Sequence, residues 1–415
     1  MGEALGQLVE LEVTNVAHQG VGVARLDGRV VFVSDAIPGE RVVAQLTEVS
    51  RRSFWRAVTV GVVEASPHRR EHVWREASVD RAPAVRPGGA DFGHIELGHQ
   101  RELKRRVLAD SLQRFASVSS DVSVSSDVSV EPVCDGAGWR TRVRLHVGEA
   151  GVPGPFAARS HSVVPVASLP LAVPALQRVA PLGESFEPGA MVDLVAPSAG
   201  DPVVTVAGSA GKNRAVVEPT VITERVGARE FRLDANGFWQ VHDRAAETLS
   251  AAVSGLIDRD RFDPAAENLD LYGGVGLLAA AMADVGGAAT RVTSVESSAR
   301  ATLHATANLA GLSGAVAVTD RVERFVRRAV IGGMSAADAT VVLDPPRSGA
   351  GREVVDGLVT LRPAQVVYVA CDPVAFARDV GVFGERGWSL VSLRAFDLFP
   401  HTHHVEAVGL LLPEG

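Results

Sequence analysis

A hydrophobic strand that runs into glycines and then into an apolar helix leaves a chain few folds to adopt. Leu269-Asp270-Leu271 leads into Tyr272-Gly273-Gly274-Val275-Gly276, and Leu277–Asp284 follows with helical patterning. Arg291–Val295 reads as the next strand, ended by Glu296, and Ala299–Leu309 as the next helix. Ala339–Leu343, Gln365–Val369 and His404–Leu412 are further strands. This alternation predicts an α/β doubly wound, Rossmann-like sheet over 251–415. Glycines let a ligand approach the backbone, and the helix N-terminus favours polar or anionic groups. Glu296 lies 20 residues past Gly276, placed to take two ribose hydroxyls. The full G-x-G-x-x-G spacing is missing, which favours an adenosylmethionine site over a dinucleotide site.

Three more segments fall where ligands bind such sheets. Val342-Leu343-Asp344-Pro345-Pro346-Arg347-Ser348-Gly349 ends a strand in an acid, and two prolines force a rigid extended turn. Tyr368-Val369-Ala370-Cys371-Asp372-Pro373 sets a cysteine just past another strand, where a thiolate can act as nucleophile. The bland reading is a small core residue, but the Asp-Pro turn has the chain leaving the core. Asp397–Glu406 carries His401, His403 and His404, yet no Cys or His pair stands at ligand spacing, so no metal is expected. Glu406 opens an apolar strand, where a carboxylate is costly without a task or partner, and a general base is the sharper reading.

The rest of the chain is different in texture. Short strands between Val9 and Leu46, punctuated by Gly20, Gly22, Asp27-Gly28 and Pro38-Gly39, predict a small β-barrel over 1–65. Arg51, Arg52, Phe54, Trp55 and Arg56 follow, suited to phosphate contact and base stacking, or else to a solvated hairpin edge. Residues 66–250 read as a central, mostly β domain: a loop-like stretch at 66–96, a helix from His99 to Phe115, and strands at 140–147, 156–166 and 191–207. Arg140, Arg142 and Arg144 alternate with Val143, Leu145 and Val147, a half-buried strand with a basic face. The six-residue repeat at Ser117–Val128 is read as an exposed strand or loop without assigned function.

Composition excludes several classes. With 41 basic and 49 acidic residues the net charge is −8, which excludes a polybasic binder but not a local basic groove. Two cysteines, Cys134 and Cys371, exclude a disulfide scaffold. Met1–Leu11 lacks a basic region before an apolar core, and Leu269–Ala289 is interrupted by Asp270 and Asp284. No signal peptide, no membrane span and a cytoplasmic location are expected.

Together these segments resemble the S-adenosylmethionine-dependent RNA uridine-C5 methyltransferases, which make 5-methyluridine in tRNA or rRNA. The family's L-D-L-Y-C-G-x-G is similar to Leu269–Gly276, with Gly273 for its cysteine. Its D-P-P-R-x-G and F-P-x-T-x-H-V-E stand intact at Asp344–Gly349 and Phe399–Glu406. Its S-C-N-P resembles Ala370-Cys371-Asp372-Pro373, and its F-x-Q-x resembles Phe238–Val241. Residues 8–63 resemble a TRAM domain, an RNA-binding barrel. Ala370 and Asp372 replace the usual Ser and Asn. Many relatives hold a [4Fe–4S] cluster with three cysteines after the barrel and a fourth before a Pro-Leu pair. Here 66–96 has no cysteine and Leu169 precedes Pro170-Leu171, so no iron–sulfur cluster is expected.

The resemblance implies a mechanism: Cys371 adds to C6 of uracil, C5 takes the methyl group of S-adenosyl-L-methionine, and Glu406 removes the C5 proton. Asp344 would orient the base or the cofactor edge, and Arg347 would stabilise enolate charge. Gln240, Tyr272, Gly274, Gly276, Glu296, Asp320 and Asp344 would hold the cofactor. The target uridine would be flipped out of its stack, with the barrel and the Arg140–Arg144 strand holding flanking RNA. A monomer is expected. The rival from another class is a pseudoenzyme, an RNA-binding module impaired by Ala370 and Asp372.

Overall fold

The computed structural model describes residues 5–116, 128–208 and 220–414; residues 117–127 of the repeat lie outside them. Strands β1 (Leu8–Val16), β2 (Gly22–Leu26), β3 (Arg29–Ser34), β4 (Arg41–Glu48) and β5 (Phe54–Glu64) close into a barrel in the order β1-β2-β3-β5-β4. Alternation drives the closure: Val13, Ala24, Val31, Val33, Val42 and Ala44 point inward and are wholly buried. On the outside, Arg29 lies 4.3 Å over the Trp55 ring and Arg56 stands near Phe32 and Phe54.

The stretch 66–96 is irregular, with two short 3-10 turns. Buried arginines hold it to the barrel. Arg69 clamps the fully buried Glu40 with contacts of 2.5 and 2.7 Å. Arg86 donates to Asp35 and to the carbonyls of Thr59, Val79 and Arg81.

Helix α1 (Leu97–Phe115) leads to β6 (Val130–Pro132), β7 (Arg142–Val147), β8 (Pro153–Gly154), α2 (Pro174–Val179), β9 (Met191–Val195) and β10 (Val203–Ala207). A four-stranded sheet, β10-β9-β7-β8, packs Leu145, Val192 and Leu194 against Trp139 and Leu176. The stretch 156–166 makes two isolated bridges, Phe156 with Val163 and Ala157 with Pro87, and Arg159 turns the chain at φ 57°. Of the expected basic face, Arg142 and Arg144 on β7 are engaged within the protein, and Arg140 precedes the strand, over the Trp139 ring. Arg142 donates to the carbonyls of Ala235 and Gly237, and Arg144 clamps Asp193. A buried guanidinium needs acceptors, and the neighbouring loop and strand supply them. Strand β6 pairs with the edge of the large sheet, and α1 packs on the helix Pro373–Gly384.

The hairpin β11 (Val221–Val226) and β12 (Arg229–Asp234) precedes α3 (Ala245–Leu256), β13 (Asn268–Leu271), α4 (Leu277–Gly286), β14 (Val292–Glu296), α5 (Ala299–Asn308) and β15 (Ala315–Thr319). Then follow α6 (Val322–Ile331), β16 (Thr340–Leu343), α7 (Gly351–Leu361), β17 (Gln365–Ala370), α8 (Pro373–Gly384), β18 (Trp388–Asp397) and β19 (Glu406–Pro413). The eight-stranded sheet has the order β15-β14-β13-β16-β17-β19-β18-β6, with β19 antiparallel to both neighbours. Strands β13, β16 and β17 are buried on both faces, which explains the unbroken apolar runs Val341–Leu343 and Val366–Ala370. Leu108, Val354, Leu358 and Phe376 cover one face; Leu249, Val253, Leu278 and Met282 cover the other. This is the doubly wound architecture expected, and strand order reverses at the β13/β16 switch point.

Helix α1 ties the N-terminal part to the histidine-rich loop before β19. Gln100 Nε2 donates to His401 Nδ1 at 3.1 Å, and its side-chain carbonyl oxygen accepts from the His401 backbone N–H. Lys104 donates to Asp397 at 2.5 Å and to the Phe399 carbonyl at 3.0 Å, with both charged groups essentially buried. Removing one member of such a pair strands the other charge. Lys104→Met is therefore expected to lower stability by about 3–5 kcal/mol in urea unfolding. A loss under ~1 kcal/mol would show that Asp397 finds other compensation.

Candidate active site

Four chain segments meet at the carboxyl edge of the sheet because parallel strands all end there, and β19 begins there because it runs the opposite way. They line a cavity of about 690 Å³. Its wall includes Gln240, Tyr272, Gly274, Glu296, Asp344, Arg347, Cys371 and Glu406. These expected site residues, far apart in sequence, share one space.

Register places Cys371 and Glu406 side by side. Ala370 of β17 opposes Ala407 of β19, so the next residues outward are Cys371 and Glu406. Burial pushes the Cys371 thiol up to about 12, with the carboxyl groups of Glu406 and Asp344 adding to the rise and Arg347 opposing it. Glu406 is 3% exposed, and burial, then the nearby Asp344, raise its carboxyl far above the usual range. Asp344 is pushed up to about 7 by burial and by Asp270. Asp270, fully buried beneath the turn, is itself raised to about 6 by burial. Carboxyl groups held near neutrality beside a thiol are what acid–base work on a buried base requires.

The glycine turn is built for close approach. Tyr272 adopts φ 64° and Gly274 φ 55°, and a Cβ on Gly274 would meet nothing within 4 Å. A Cβ on Gly273 would instead strike Ser294 Oγ at 2.0 Å. Ser294 donates to Asp270 at 2.8 Å, so this hydroxyl fills the place of the side chain usual in the resembled family. Glu296 accepts from the backbone N–H of Gly274 and of Ser298 at 3.2 and 2.7 Å. With Val275, Ala301 and Val322 on the apolar wall, the turn, the acid and the open space above Gly274 fit a nucleoside-bearing methyl donor.

Two expected cofactor residues lie elsewhere. Asp320 does not line the cavity: Arg324 and Arg328 of α6 and the N–H of Arg321 engage its carboxylate. Gly276 stands at φ 93° at the start of α4, where a Cβ would crowd Leu309 at 3.0 Å; it shapes the turn. Asp234, which sequence reasoning did not single out, joins Phe238 and His404 on the wall. Asp234 binds Arg300 in two contacts and His304 in a third. Phe238 is 74% exposed at the mouth. His404 lines the cavity, and burial, then His403 and Arg347, push its imidazole down to about 3. His401 bonds Gln100 and His403 bonds Asp91, so hydrogen bonding engages these two rings. No cluster of three or more metal-ligating side chains occurs among the described residues.

The TRAM domain family matches residues 3–54, and the tRNA (uracil-5-)-methyltransferase family matches 263–414. An uncharacterized RNA methyltransferase of Streptomyces avermitilis is 37% identical, with 99% of each chain covered. One of Bifidobacterium longum is 33% identical, covering 97% of this chain and 96% of its own. The crystal structure of the Pyrococcus abyssi tRNA (uracil-54, C5)-methyltransferase in complex with S-adenosyl-L-homocysteine superposes with a TM-score of 0.70. It is 21% identical and covers 97% of this chain and 100% of its own, a likeness of fold. The chain therefore belongs to the S-adenosylmethionine-dependent RNA methyltransferases of the tRNA (uracil-5-)-methyltransferase family, with a TRAM domain before the catalytic part.

Proposed function

We propose that the protein methylates C5 of a uridine in tRNA or rRNA through a transient bond between Cys371 Sγ and C6. The observation that carries this reading is the β17/β19 register, which sets Cys371 beside the buried Glu406 at the cavity. The thiolate adds to C6, the C5–C6 electrons move toward O4, and Arg347 at the cavity wall offsets the enolate charge. Bound S-adenosylmethionine supplies an electrophilic methyl group. Gln240, Tyr272, Gly274 and Glu296 hold it, and Asp344 orients the base or the cofactor edge. Glu406 then takes the C5 proton, the C6–S bond breaks, and the C5–C6 double bond returns.

The Arg29, Phe32, Phe54, Trp55 and Arg56 face of the barrel suits flanking RNA, since stacking and phosphate contact need those side chains. Cys371 is recessed, so the target base must leave its stack. No helix among the described residues is long and apolar enough to cross a membrane; a cytoplasmic location fits an RNA substrate.

The test is nucleoside analysis of unmodified tRNA and rRNA after incubation with protein and S-adenosylmethionine. 5-Methyluridine is expected in one of the two. Its absence from both, with the methyl donor still bound, would leave the pseudoenzyme reading. Both Cys371 and Glu406 must lose protons that their surroundings hold, so kcat/KM is expected to rise continuously from pH 6 to pH 9. A fall over that range would place the governing ionisation elsewhere.

A further inference from the structure

The loop between β1 and β2 is where the barrel reaches the catalytic edge. Gly20 adopts φ 66°, and a Cβ there would meet the His403 Cβ at 2.5 Å and the Phe92 ring at 2.6 Å. Beside it, His18 Nε2 stands 3.4 Å from Asp372 Oδ2, on the residue next to the nucleophile. The other oxygen of Asp372 has a separate task. Oδ1 accepts from the N–H groups of Val374 and Ala375 at 3.0 and 2.8 Å, capping α8. An asparagine oxygen caps a helix equally well, and asparagine is the residue of the resembled motif. The extra charge of Asp372 is redundant for the cap; the partner that it meets is His18. The Nδ1 atom of His18 is enclosed without a hydrogen-bond partner, so the ring's polar contact runs through Nε2.

We propose that His18 is a positioning residue for the Cys371 loop: from the barrel, its Nε2 meets Oδ2 of Asp372 and holds that carboxylate in place beside the thiol. The inference rests on the reading of Cys371 as nucleophile and deepens it. Cys371 already faces Glu406 on β19 and Asp344 after β16, Arg347 opposes their effect, and Asp372 adds to the rise of the thiol. Lys104 of α1, together with His403 and His404, closes the space around the His18–Asp372 contact. A barrel that shifts away would leave the Asp372 carboxylate without that contact beside the thiol. Docking of the barrel and reactivity of the nucleophile are thereby coupled.

The experiment is alkylation of Cys371 by iodoacetamide in the full chain, in a Cys134→Ala background, followed from pH 6 to pH 10. H18A is expected to slow alkylation about threefold at pH 8, the scale of a half-exposed polar contact. It should lower kcat by a similar factor with KM for RNA little changed. In the D372N background H18A is expected to have no effect on alkylation. An H18A effect of the same size in both backgrounds, or none in either, would overturn the proposal. If H18A does not fold, H18Q keeps an N–H donor and should alkylate near the parent rate, whereas H18F should be slowed; equal rates for the two would overturn it. Alkylation needs neither RNA nor methyl donor. A failure of the functional reading would show separately, as parent protein that alkylates normally yet makes no 5-methyluridine.

Discussion

Cys371→Ala is expected to abolish 5-methyluridine formation, by about four orders of magnitude or more, while binding of S-adenosylmethionine and RNA stays within about threefold of the parent. A nucleophile acts on the barrier far more than on ground-state affinity. Ala370 and Ala407 already flank the position, so one more small side chain at the strand end leaves the β17/β19 ladder intact. Cys371 lies outside the buried core, and its loss opens no sealed void. The decisive measurement is single-turnover methylation at saturating RNA. Turnover above about one per cent of the parent would sink the covalent route, because intact binding groups alone do not reach that level when a nucleophile is lost.

Glu406→Gln should fail differently, by stopping after methyl transfer. The methyl group reaches C5 before the C5 proton leaves, so attack by Cys371 and transfer can proceed without the base. Elimination cannot, and a protein–RNA adduct should accumulate, stable to denaturing electrophoresis and dependent on both S-adenosylmethionine and Cys371. Glutamine keeps the shape and removes a carboxylate whose burial is costly, so folding should survive. His404 is the neighbouring candidate to rescue the proton transfer, but with its imidazole pushed down to about 3 it is a weak base, and decay of the adduct should be slow. Loss of the Glu406 charge also removes one cause of the raised thiol, so Cys371 should alkylate faster than in the parent. A folded, RNA-binding variant with parent turnover and no adduct would falsify the general-base assignment.

The features legible in sequence are those fixed locally. A strand that ends in an acid or a cysteine and then turns announces its place at a sheet edge, which is why Glu296, Asp344 and Cys371 were found. Glu406 was legible for the opposite reason, as a charge opening an apolar strand. Asp320 has the same local look, yet Arg324 stands four residues on in the helix, and that i,i+4 pairing competes with any ligand. Arg142 and Arg144 alternate as a basic face should, but the acceptors that engage them, Ala235, Gly237 and Asp193, lie 49 to 95 positions away. The Asp234–Arg300 clamp spans 66 positions and leaves no periodic trace. Strand β18, Trp388–Asp397, has Ser389, Ser392 and Arg394 interrupting its apolar run and carries no turn motif to mark it. What sequence could not reveal is who answers a polar group from another part of the chain.

The contact between Gln100 and His401 joins residues 301 positions apart. Entropy of loop closure opposes such a contact until most of the intervening chain is ordered. During synthesis, α1 emerges long before the strand that bears Glu406. Helix α1 therefore waits without its histidine-loop partners until the last strands, with Cys371 and Glu406 only 35 positions apart, have been made. Assembly of the reactive pair falls near the end of folding, so the competence to modify RNA reports that both ends of the chain have found each other.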